Sequence, residues 1–378
     1  MVFPIRPFRP LLLLLGLLCV LALQVGPAAA SQTYKVTLLG SLDPGGSSQA
    51  NAINSAGKVV GIASDEGVDH PFLWTPTSTN GTQGSMRDLG TFWSASADYY
   101  DEAIGINASG QVAGNSESFI SYPLSSKENG FLWSGKLHKL GVLAGYNNSV
   151  TFGINASGQI VGACTTGYAW NFQSPEAFLY SGGKMIDLGA LTGGATSLAF
   201  GINDAGEIYG FADTTGAGWP ETPFIYESGN VYDMSSQLPG GIVAMNNAGQ
   251  LAIERWVSVD EGGCRSNEPR AALWTPTTKN GLTGSWVDLG TGGFEESEPA
   301  GLNDDGDVVG TLINTDANPT QHAFLYHNGV MVDLNTRIPT NSGITLQTAT
   351  GINHAGQIVG TGVTTDGRMV AFLLTPSS

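Results

Sequence analysis

The residues best suited to chemistry are aromatic rings and carboxylates set side by side in stretches that interrupt a repeated pattern. Trp93, Tyr99, Asp101 and Glu102 fall in segment 91–102, Tyr168 and Trp170 in 163–176, Trp219 in 211–222, and Trp256 in 254–270. Segments 115–130 and 291–299 add Glu117, Glu128 and Glu295, Glu296 and Glu298. Rings of this kind stack on the apolar faces of sugars and on cations, while carboxylates accept hydrogen bonds from hydroxyls. The mixture points to a carbohydrate, a cationic ligand or another extracellular protein. The same rings could instead pack the segments back onto a scaffold, leaving the acids merely solvated.

Familiar catalytic signatures are missing. The chain has no Gly-x-Ser-x-Gly elbow, no His-Glu-x-x-His and no Walker loop. Its five histidines, His70, His138, His322, His327 and His354, are scattered over strand and turn registers, and the two that share a register, His70 and His322, lie in the first and sixth units. That spacing argues against a shared metal, and no cofactor is expected. Asn303-Asp304-Asp305-Gly306-Asp307 has the acidic look of a calcium loop. It aligns, however, with Asn155-Ala156-Ser157-Gly158-Gln159, an ordinary turn of this chain.

The scaffold that must position these residues is legible in a nine-residue frame, apolar-Asn-x-x-Gly-x-β-β-small. It begins at Ile53-Asn54 and returns at Asn107, Asn155, Asn203, Asn246, Asn303 and Asn353. The steps between asparagines are 53, 48, 48, 43, 57 and 50 residues. A period near 50 with short β-rich runs separated by Asn and Gly turns indicates a repeat architecture of four antiparallel strands per unit. The asparagine itself reads as a turn former that bonds its own backbone. The fifth unit, 244–253, departs most from the frame.

Third strands recur as Pro71-Phe72-Leu73-Trp74, Ala177-Phe178-Leu179-Tyr180 and their equivalents, and read as packing between units. Fourth strands end in Asp-Leu-Gly or a close variant, as at Asp88, Asp187 and Asp288, and there are six of them for seven units. The segment from Tyr34 to Leu42 carries the same Leu39-Gly40 ending ahead of the first asparagine. A last unit completed by this N-terminal strand closes a ring. The predicted fold is therefore all-β, a seven-bladed β-propeller. Two matching segments, 73–85 and 273–285, read as a shared structural insertion between third and fourth strands.

Residues 1–30 have the layout of a secretory signal peptide: Arg6 and Arg9, an apolar run from Leu11 to Leu23, and Ala28-Ala29-Ala30 before Ser31. The run is short of the ~20 apolar residues a membrane span needs. Residues 31–378 are expected to form one domain, without stable membrane insertion after cleavage, and as a monomer. Loss of Arg6 and Arg9 takes the net charge from -17 to -19. So acidic a surface disfavours nucleic acid as a partner. Cys164 and Cys264 then remain, and spacing leaves them either bonded or free.

The recurring pieces resemble the HAF repeats of bacterial extracellular proteins. The His-Ala-Phe triplet is literal once, at 322–324, while the Asp-Leu-Gly and Ile-Asn-x-x-Gly-x-Val-Val-Gly pieces match more widely over 34–374. The resemblance implies an extracellular repeat protein and no particular activity. Three functions stay open: a secreted binding module, a secreted polysaccharide hydrolase or lyase using loop carboxylates, and a structural surface protein.

Overall fold

In the computed structural model, the described residues are 32–92, 98–121, 124–166, 173–191, 194–214, 216, 220–261, 264–315 and 319–377. They form seven four-stranded antiparallel sheets in a ring, a seven-bladed β-propeller. Blade 1 comprises Ser48–Ile53, Val59–Asp65, Val68–Pro76 and Gly84–Asp88. Blade 2 comprises Asp98–Ile106, Val112–Ser121, Leu124–Trp133 and Leu137–Lys139. Blades 3, 4 and 6 span 148–187, 197–233 and 296–333, and blade 5 begins at Gly241–Met245 and ends at Gly284–Gly290. Blade 7 takes Ile344–Ile352, Ile358–Thr364 and Met369–Pro376 from the C-terminal end, and its outer strand is Tyr34–Gly40. That strand runs antiparallel to Met369–Pro376, Tyr34 opposite Pro376, so the ring closes as the strand count requires.

Apolar residues are buried between neighbouring blades rather than in one central core. One cluster joins Leu39, Val359, Ala371 and Leu373 of blade 7 to Ala50, Val59, Phe72 and Trp74 of blade 1. In six blades the small residue closing the nine-residue frame is a glycine paired across strands with the third-strand phenylalanine, as Gly162 with Phe178 and Gly360 with Phe372. A Cβ on Gly162 would meet the Val150 carbonyl at 1.9 Å and the Phe178 ring at 2.9 Å, so the ring fills the space a side chain would take. Blade 5 exchanges both members: Ile253 pairs with Ala272. The swap moves bulk from the third strand to the second, the kind of volume-conserving exchange a packed interior tolerates. It explains why the fifth unit departs from the frame.

The frame asparagines do more than shape their own turns. Each side-chain oxygen caps its turn; that of Asn155 accepts from the N–H groups of Ser157 and Gln159 at 3.1 and 3.0 Å. Each amide nitrogen also donates to the backbone carbonyl of the next frame asparagine. The contacts run Asn54 to Asn107, Asn107 to Asn155, Asn155 to Asn203, Asn203 to Asn246, Asn246 to Asn303 and Asn303 to Asn353, at 2.9–3.4 Å. Asn353 returns to Asn54 at 3.1 Å and closes the circle. In six blades the amide has a second acceptor four residues on, such as Gln159 or Glu207. All seven asparagines are buried.

Two shorter devices recur. Asp88, Asp187 and Asp288 each accept from the N–H of the glycine two residues on, at 2.7–2.8 Å, which is why Asp precedes Leu-Gly at the strand end. The matching insertions seat Asn80 and Asn280, both at positive φ, on the Asn turns of their own blades through the carbonyls of Ala56 and Ala248. The two insertions are thus seated in the same way.

Two expected loops are not loops. Segments 115–130 and 254–270 are largely the extended second-to-third hairpins of blades 2 and 5. Their alternating residues continue the ladder, as Glu117 opposite Glu128 and Val257 opposite Glu268. Second strands here run to 10 and 11 residues, against 5–7 in the other blades. The extra length carries each hairpin about 10–14 Å beyond its neighbours.

Replacing Asn155 by Ala removes two turn caps and two outgoing donors at once. It should cost about 2–4 kcal/mol in denaturant unfolding, whereas the exposed Ser157→Ala should change stability by less than about 0.5 kcal/mol.

Candidate functional site

Antiparallel topology sorts the connections onto two faces. The Asn turns and the third-to-fourth turns lie on one face; the second-to-third hairpins and the links between blades lie on the other, here called the loop face. The turn face holds an axial cavity of about 440 Å³, with a floor of apolar residues from Ile53 round to Leu302. Asp204 of blade 4 and Asp304 of blade 6 stand at its rim. Both are committed: Asp204 accepts from the N–H of Ala156 at 2.8 Å, and Asp304 from that of Asn247 at 2.9 Å. They cap turns instead of awaiting a proton transfer.

The loop face gathers the carboxylates. In blade 2, Glu102 lies on the innermost strand, Glu117 on the second and Glu128 on the third, directly opposite Glu117. Glu102 accepts from Asn115 at 3.3 Å and from the Tyr100 hydroxyl at 3.4 Å. Burial pushes Glu128 up to about 8, reinforced by the charges of Glu117 and then Glu102. Burial also raises Glu102, against the opposing bonds from Asn115 and Tyr100. Like charges in one row cannot all ionise cheaply, so the row holds a proton at neutral pH.

Blade 5 raises a second feature on the same face. Trp256 is 62% exposed on the extended hairpin, opposite Pro269. Beside it, Arg255 is held by Asp288 at 2.6 Å and lies over the Trp286 ring at 5.1 Å. Across the adjoining seam, the charges of Glu298 and Glu296, after burial, raise Glu254. The arms of blades 2 and 5 are separated by two intervening blades one way round the ring and by three the other.

The structure separates the residues singled out from sequence. Asp101 and Glu102 are adjacent on one strand and so face opposite sides of blade 2; Asp101 is fully buried and Glu102 half-buried. Trp256 belongs to the other arm. Trp93, Tyr168, Trp170 and Trp219 lie outside the described residues, as does the side chain of Tyr99. Cys164 is a buried free thiol, raised by burial to about 11.

Sequence reasoning missed a pairing between two of its own motifs. His322 of the literal triplet lies 2.8 Å from Asp333, and His70 of blade 1 lies 3.4 Å from Asp88, the same two register positions. Glu176 occupies the histidine position in blade 3 and faces Asp187, so it is raised to about 7 by burial first and by Asp187 next. The signal was available: this position varies between repeats, while the aspartate opposite the phenylalanine two residues on recurs.

No family model matches the chain, and no curated protein matches it. Solved structures resemble it in fold. The β-propeller domain of the trilobed protease from Pyrococcus furiosus is 9% identical, with a TM-score of 0.47 over 87% of this chain and 93% of that one. A puromycin hydrolase is 13% identical, with a TM-score of 0.49 over 84% of this chain and 50% of that one. Trypanosoma rangeli sialidase is 11% identical, with a TM-score of 0.40 over 87% and 53%. This chain spans about half the length of the latter two. Likeness this distant carries nothing about activity.

The raised Glu128 has a consequence for stability. Its carboxyl is neutral in both states below about 4.5; between there and about 8 the folded state keeps the proton that the unfolded chain releases. Stability is therefore lost as pH rises through that window. Glu128→Gln should flatten this fall, gaining on the order of 2 kcal/mol over the parent at pH 9 relative to pH 5, measured by urea unfolding at each pH. Parallel pH profiles for the two proteins would contradict the assignment.

Proposed function

We propose that this protein is a secreted binding propeller that holds an extended carbohydrate chain across its loop face, between the arms of blades 2 and 5. The observation that carries the reading is the pair of lengthened hairpins, one presenting the exposed ring of Trp256 and the other rising above the Tyr100–Glu102–Asn115 group. A large ring left open to solvent on an extended hairpin suits stacking, and a hydrogen-bonded acid and amide suit hydroxyl recognition. Secretion rests on the character of residues 1–30, which lie outside the described residues; the HAF-repeat resemblance supports it. Among the described residues no helix is long and apolar enough to cross a membrane.

Binding is to be sought on a polysaccharide and oligosaccharide array and then quantified by calorimetry. Trp256→Ala should weaken the best ligand about tenfold, the size of one lost stacking contact, and Glu102→Gln by a similar factor. Unchanged affinity in both variants would remove the loop face from the reading.

The raised Glu128 favours one second reading, a polysaccharide hydrolase or lyase. A protonated Glu128 opposite Glu117 is the division of roles that acid–base cleavage of glycosidic bonds requires. In that case Glu128→Gln should bind the polymer normally but cut it at least about 100-fold more slowly. A polymer that binds and is never cut by the parent protein would leave the binding reading alone.

A further inference from the structure

The seam between blades 1 and 2 departs from a rule that four other seams obey. Six residues before the frame asparagine stands a serine: Ser48, Ser149, Ser197 or Ser297. Its hydroxyl accepts from a third-strand N–H of the preceding blade, that of Ala371, Gly130, Ala177 or Ala271, each at 3.0 Å. Ser48, Ser197 and Ser297 then donate to the carbonyls of Gly40, Gly189 and Gly290. In blade 2 this register is held by Asp101, opposite Ser116 as Ser149 is opposite Cys164. The third-strand residue that should donate is Pro71, which has no N–H. Blade 4 also carries a proline here, Pro223, and blade 5 answers it with the neutral Gly240.

Blade 2 thus places a carboxyl where the donor is lost. Asp101 is 0% exposed, and neither of its oxygens has a hydrogen bond of normal geometry, although the hydroxyls of Ser116 and Thr91 approach. A buried carboxylate needs a counter-charge or a proton. The charges Asp101 feels are those of His70 and Asp88. One ligand atom from each of these two and one from Asp65 lie within 4.8 Å of one another. Asp43 joins the group by bonding Asp65, and is itself fixed by the N–H of Glu66. One imidazole therefore belongs to a group with four carboxyls, from two blades and the link that precedes them. The group holds more acidic side chains than basic ones.

We propose that Asp65, His70 and Asp88 bind a divalent cation at this seam, with Asp101 as the buried negative charge behind it. One imidazole among carboxylates fits Zn²⁺ or Mn²⁺ better than Ca²⁺, which takes oxygen ligands. The ligands come from the second, third and fourth strands of blade 1, so the ion would tie that blade's outer edge together and neutralise the seam with blade 2. Blade 6 supplies an internal control: it has the same pair, His322 and Asp333, but Asn314 where blade 1 has Asp65.

The full chain, stripped with a chelator and dialysed, is to be titrated with Zn²⁺ and separately with Mn²⁺, following heat and melting temperature. One site per chain is expected for at least one of the two ions, with a rise in melting temperature. His70→Gln and Asp88→Asn should each weaken that site at least tenfold, while His322→Gln leaves it unchanged. Asp101→Ser, which installs the residue the other blades use, should raise the melting temperature of the stripped protein and shrink the metal-induced rise. Absence of binding at millimolar metal, or binding that survives both His70→Gln and Asp88→Asn, overturns the proposal.

Discussion

Seven asparagine side chains, each bonded to the backbone of the next, are the constraint on which the rest of the ring depends. A primary amide offers two acceptor and two donor positions, and nearly every one is used here. The oxygen shapes the turn within the blade, and the nitrogen fixes the distance to its neighbour. No smaller polar residue does both: serine lacks the second donor, and aspartate would set a carboxylate against a carbonyl. Because the amides are buried, a partner lost at one position leaves a neighbouring carbonyl unsatisfied, so each blade's local geometry is tied to that of the next.

Away from this ring the seams are free to vary, provided volume and polarity balance within each. Ile253 with Ala272 replaces glycine with phenylalanine. Gly240 follows Pro223 where serine would find no donor. The exception is Asp101, which follows Pro71 with a charge and has no such internal compensation. It stands beside the densest mixture of histidine and carboxylate among the described residues, which is why an irregularity of packing becomes a matter of chemistry.

The fold was open to sequence reasoning because its determinants are repeated. The asparagine frame returns at a steady interval, and the mismatch between six fourth strands and seven frames pointed to Tyr34–Gly40 as the missing strand. The outward half of each asparagine was not open to it, because a turn motif does not say where the amide points. The arms were misread for a related reason. Where both faces of a hairpin meet solvent, as in the segment around Ser258 and Asn267, the alternation that marks a strand fades into the composition of a loop. The histidine–carboxylate cluster joins residues 65, 70 and 88, which only strand register brings together. Its one linear trace is a proline and an aspartate standing where other repeats have an N–H and a serine.

The closing strand carries a consequence for how the chain reaches this state. Tyr34–Gly40 has its partner in Met369–Pro376, at the far end of the described chain. Pairings of such sequence separation are slow to form, because a long loop must be closed before any contact rewards it. During synthesis six blades can assemble in order, each against the one before, while the first strand waits with an open edge. The ring is then locked in a single late event that joins Tyr34 to Pro376 and Asn353 to Asn54 together. The two strands that complete blade 7 are thus the last neighbours to meet, although they are the first and the last of the ring in sequence.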